Sequence, residues 1–133
     1  MEQHLKIIGC LLIAISLLHV AFPRYFQWKT DLAPISLINR QLMYVHSFFI
    51  AFIVLLMGIL CLCSYTDLVR THLGHQLSFG LFIFWATRLL FQFFIYSPSL
   101  WKGKKRELTI HIVFSLLWAY FSTIFFLASR GSV

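Results

Sequence analysis

Acidic side chains are nearly missing from this chain. Glu2, Asp31, Asp67 and Glu107 are the four in 133 residues, and none falls inside an apolar run. Paired-carboxylate acid–base chemistry therefore has no machinery in the apolar segments, and no serine–histidine–acid set is visible. Any basic residue within an apolar run also lacks an acidic mate at its own level. Charge of either sign is scarce: 11% of residues are charged, against roughly 25% in a soluble domain. There is no low-complexity tract and no repeat of fixed period. Gly103-Lys104 does not make a phosphate loop, because the preceding glycine spacing is absent. The three cysteines, Cys10, Cys61 and Cys63, have no metal-ligand spacing. Cys61 and Cys63, two apart on a helix, diverge and read as small packing residues.

What is abundant is apolar surface, with 60% of residues hydrophobic and 18% aromatic. Four segments reach the ~20 residues needed to cross a bilayer: about 5–22, 35–64, 76–97 and 109–128. Backbone groups in lipid must be bonded within their own segment, so each is expected to be a helix. Short connections make sequence neighbours antiparallel neighbours in space. The expected fold is an all-α integral membrane protein, an antiparallel four-helix transmembrane bundle forming one domain over 1–133. Pro23 is expected to stop the first helix. Asp31 reads as a cap, with Pro34 in the first turn of the second helix. Only Lys6 is basic near the N-terminus and no small-x-small site precedes Pro23, so the first span is expected to be retained rather than cleaved.

The net charge is +7, but the basic residues sit in loops between apolar runs. That pattern fits membrane topology and anionic headgroups rather than nucleic acid. The loops 23–40 and 98–108 carry Arg24, Lys29, Arg40, Lys102, Lys104, Lys105 and Arg106, while the opposite side carries Lys6, Arg70 and Arg130. The excess places those two loops in the cytoplasm and both termini outside, in a multi-pass protein of a membrane such as the bacterial inner membrane.

Two features rise above a generic membrane protein. The first is Trp85, Arg88, Gln92 and Tyr96, spaced three, four and four, which places them on one helical face. Arg88 lies near the middle of the 76–97 run, where an unpartnered guanidinium costs about 3–17 kcal/mol depending on how it is measured. Trp118 belongs to a matching stripe, His111, Ser115, Trp118 and Ser122. The second feature is three histidines. His19 lies near the end of the first span, His46 near the start of the second and His111 near the start of the fourth, so antiparallel alternation puts all three at a similar depth. Each alone is explained by a neutral imidazole bonded across the bundle. Three at one level suggest ligands for haem or for copper, iron or zinc. His72 and His75, three apart, make a metal pair if helical and exposed loop histidines otherwise.

The leading expectation is a metal or haem site built from His19, His46 and His111, with Arg88, Gln92, Trp85, Trp118 and Tyr96 around the cofactor and a redox or electron-transfer role. The alternative is a quinone-, lipid- or small-anion-binding protein anchored by Arg88. A third reading is a non-catalytic subunit of a homo-oligomer or larger membrane complex. A Trp85–Trp118 interior suits a flat apolar ligand and suits plain packing equally.

Overall fold

A computed structural model describes residues 1–131. Among them the regular structure is entirely helical. The helices are α1 (Glu2–Tyr25), α2 (Trp28–Asp31), α3 (Leu37–Cys63), α4 (Tyr65–Arg70), α5 (His72–Phe94) and α6 (Lys105–Ser129), with a 3₁₀ turn over Pro98–Leu100. α1, α3, α5 and α6 are each long and apolar enough to cross a membrane.

Pro23 does not stop α1. In the last turn it removes only its own N–H, and the ladder resumes with Phe26 N–H donating to the Phe22 carbonyl at 2.9 Å. The stop lies at Gln27, which takes the left-handed conformation (φ 55°) and returns its N–H to the Arg24 carbonyl. That geometry ends helices at the position glycine usually fills. Asp31 does not cap α3 either. It closes the single turn of α2, and Leu32 N–H bonds back to the Trp28 carbonyl at 2.9 Å. α3 starts only at Leu37, after an extended Ser36.

α5 begins four residues earlier than the expected 76, because Thr71 caps it. The Thr71 hydroxyl oxygen accepts from Gly74 N–H at 2.9 Å and donates to the Asp67 carbonyl at 2.8 Å. This ties α5 to α4, a helix where a loop was expected. α5 also ends early, at Phe94. The whole element is therefore displaced toward its N-terminus. Arg88 stands six residues before the end, about 9 Å along the axis, rather than at the centre.

The chain forms two compact units. Residues 5–65 make one, in which α1 and α3 run antiparallel. The Ser16 hydroxyl donates to the Ala51 carbonyl at 2.8 Å, and Gly9 meets Gly58 so closely that a Cβ on Gly58 would lie 3.0 Å from the Gly9 carbonyl oxygen. Small residues that let backbones touch are a usual means of joining helices in lipid, where apolar burial supplies no drive.

Residues 1–4 and 66–133 make the other unit. Here α5 and α6 form an antiparallel hairpin, and ring contacts set its register. Phe82 packs on Phe126 at 5.2 Å between centroids, and Trp85 on Trp118 at 4.9 Å. The first turn of α1 is held by Glu2 to Arg70 at 2.9 Å and by the His4 ring nitrogen to the Tyr120 hydroxyl at 2.8 Å. Large apolar side chains are exposed in both units, Phe48, Phe49 and Ile50 in the first and Leu90, Phe93 and Phe94 in the second, each more than half exposed, which is consistent with helices that face lipid.

Candidate functional site

The α5–α6 hairpin gathers the polar and aromatic residues of both stripes at its connected end. Trp85, Arg88 and Gln92 share one face of α5. Trp85 and Gln92 are buried, as is Trp118 on α6. The two indoles stack with an interplanar angle of 21°, and Phe121 closes edge-on against Trp85 at 5.1 Å.

Arg88 sits against this stack. Its guanidinium carbon lies 5.5 Å from the ring centroids of both Trp118 and Tyr96, within the range of cation–π attraction. Its one hydrogen bond among the described residues is long, Nη2 donating to the Tyr96 hydroxyl at 3.3 Å. Tyr96 does not extend the α5 stripe as the spacing implied. It stands beyond the helix end, where its N–H bonds to the Phe91 carbonyl in a wide turn, and its ring folds back over the last turns. The Arg88 side chain thus reaches toward the end of α5, against the tilt of its own Cβ. This is how a long cationic side chain reaches the edge of an apolar layer.

One turn further on, the Gln92 amide lies 2.9 Å from His111 Nδ1. Read as donor to acceptor, this fixes the imidazole with its other nitrogen protonated. Trp101 covers the imidazole face at 3.8 Å between centroids and 14° between planes. Phe93 approaches its edge at 5.9 Å. Ser115 and Ser122 add nothing to this cluster. Each hydroxyl bonds back to a carbonyl of its own helix, of His111 and Trp118 respectively, at 2.7 Å.

The site is rich in donors and poor in acceptors. Arg88 makes no ion pair among the described residues. Among the described residues the Nε1 atoms of Trp85 and Trp118 are buried without a partner, and a buried donor left unmet costs about 1–3 kcal/mol. The donor that stays reachable is the half-buried Arg88 guanidinium, which is complementary to an oxygen-bearing acceptor: a carboxylate, a phosphate or a polarised carbonyl.

The histidines are placed differently. His19 Nδ1 donates to the Ile15 carbonyl one turn back, at 2.8 Å, and its ring leans on Phe22. His46 is exposed. His75 Nε2 donates to the Val69 carbonyl at 2.6 Å, and His72 opens α5 on the surface. Among the described residues, no three of His, Cys, Asp and Glu gather so as to hold a metal ion. The cysteines are free thiols.

Sequence reasoning missed Trp101. In the sequence it is only the first residue of a basic turn, and the short connection folds it over His111. No family model matches this chain, and no curated protein or solved structure is significantly similar to it.

Proposed function

We propose that this is a multi-pass membrane protein of four antiparallel crossings. It binds a small amphiphile with an anionic or carbonyl oxygen (a lipid, a quinone or a small organic anion) through Arg88 at the connected end of α5–α6. The observation that carries this is Arg88 itself: a cation in an apolar helix, set against two aromatic faces and one long hydroxyl contact, with no ion pair among the described residues. A partner outside the chain supplies the missing acceptor. The exposed ring of Tyr96 lies against the charge and offers an aromatic surface that suits a ligand with a flat or aliphatic body. The basic excess in the 23–40 and 98–108 loops favours a cytoplasmic position for this end, where those charges would attract anions.

The stacked indoles make the test direct. Delipidated protein is titrated with an anionic phospholipid, a short-chain quinone and an aliphatic carboxylate while tryptophan fluorescence is followed. A saturable change with at least one of the three, abolished in Arg88→Ala, supports the reading. Equal responses in both proteins count against it.

A metal or haem held by His19, His46 and His111 has less behind it. His19 donates Nδ1–H to a carbonyl and keeps Nε2 free, an arrangement that ligating histidines also use, whereas His111 accepts at Nδ1 from Gln92 and so carries its proton on Nε2. Among the described residues no three ligand-type side chains gather, and His46 is exposed. A Soret band in purified protein that disappears in His46→Ala would restore this alternative.

A further inference from the structure

The opposite end of the same hairpin carries a second, separate feature. Where α5 begins and α6 ends, a cleft of about 510 Å³ opens between them. At roughly 30 Å³ per water, that is far more than one small ion fills. The exposed rings of Phe79 and Phe126 give it an apolar lining, and His72, Gln76 and Arg130 line it too. Two other lining groups are already committed. His75 bonds to the Val69 carbonyl and the Ser129 hydroxyl to the Phe126 carbonyl. The side chains of His72, Gln76 and Arg130 have no partner among the described residues. All three offer N–H donors, and the imidazole does so in either protonation state.

We infer that this cleft binds a phosphate ester, with Arg130, His72 and Gln76 on the phosphate oxygens and the organic part of the ester against Phe79 and Phe126. Arg130 presents a fork that fits two phosphate oxygens at once. The first residues of α5 lie beside it, and their backbone N–H groups favour an anion. The apolar walls ask for more than inorganic phosphate, because they gain only when an organic group covers them. On the membrane reading the cleft lies at headgroup level, so a phospholipid is one source of this chemistry and a soluble phosphate ester is another. None of it depends on Arg88.

The test uses full-length protein with its histidine rings labelled, so that His72 reports locally. Glycerol phosphate is added to protein in neutral detergent. In parallel the protein is placed in nanodiscs of phosphatidylcholine with and without phosphatidic acid. A His72 ring shift with both probes means the phosphate ester itself is recognised. A shift with phosphatidic acid alone assigns a lipid source, and one with glycerol phosphate alone a soluble source. In each supporting case Arg130→Ala weakens binding about ten- to hundredfold, the range for losing a charge-assisted hydrogen bond. Arg88→Ala leaves it unchanged, which separates this site from the one at the other end. No shift with either probe, or shifts that survive Arg130→Ala, overturn the inference. Arg130 is exposed at the end of α6, so its removal leaves the fold in place.

Discussion

Gly58 offers the sharpest quantitative test of the α1–α3 crossing. A methyl group added there would stand 2.9 Å from Ile13 Cγ1, 3.0 Å from the Gly9 carbonyl oxygen and 3.2 Å from the Ile13 backbone nitrogen. The Ile13 side chain can turn aside. The two backbone atoms cannot, so the helices must separate by some tenths of an ångström. Overpacking of this kind costs about 1–3 kcal/mol. Gly80, also inside a long helix, has open space around the same added atom. Alanine is a better helix former than glycine at either position by up to about 1 kcal/mol, and that gain cancels when the two variants are compared. Gly58→Ala should therefore be less stable than Gly80→Ala by about 1–3 kcal/mol, or roughly 5- to 150-fold in the equilibrium constant. The assay is reversible unfolding in mixed micelles, read by circular dichroism and by the mobility of a spin label on α1. Identical midpoints for the two variants would refute the close crossing. Gly74→Ala should be more damaging than either, since the added methyl would fall on the Asp67 carbonyl that anchors the α4–α5 corner.

Other perturbations follow from single contacts. Thr71→Ala removes the α5 cap and should cost about 1 kcal/mol, with hydrogen exchange rising first at Gly74 and His75; unchanged protection there would mean the cap is idle. Trp118→Phe removes a buried N–H with no partner among the described residues. In ligand-free protein its cost in thermal unfolding should stay below that of Trp118→Ala, which forfeits the whole stack and falls in the ~3–5 kcal/mol class. Arg70→Ala breaks a solvent-exposed pair with Glu2 and should shift the unfolding midpoint by less than the equivalent of ~1 kcal/mol. A larger loss would show the pair to be part of a network.

The four long helices were legible because a 20-residue apolar run leaves the chain few other options. The grouping of Trp85, Arg88, Gln92, His111 and Trp118 was legible too. Helical period placed each set on one face, and a ten-residue connection forces α5 and α6 to run antiparallel. What could not be read were the places where one bond decides. Pro23 looked like a terminus because the cost of a missing N–H depends on where in the helix it falls, and it is small in the last turn. Thr71 was passed over as a loop residue, although its hydroxyl sets the start of α5 and so moves Arg88 off centre. Tyr96 obeyed the helical spacing yet lies past the helix end, and it reaches Arg88 by folding back. The histidines were judged by depth alone. Depth does not say which nitrogen is already bonded to the residue's own helix, as in His19.

The central claim is that Arg88 needs an acceptor from outside the chain. Native mass spectrometry of the intact protein, with Arg130→Ala as the background so that the cleft at the other end of the hairpin is silent, tests this most directly. The Arg130→Ala protein should carry a discrete non-covalent adduct of one chemical class. Adding Arg88→Lys, which keeps the charge but not the planar fork, should leave less of it, and adding Arg88→Ala none. A stable Arg130→Ala protein free of any adduct, or an adduct equally abundant after Arg88→Ala is added, would contradict the account.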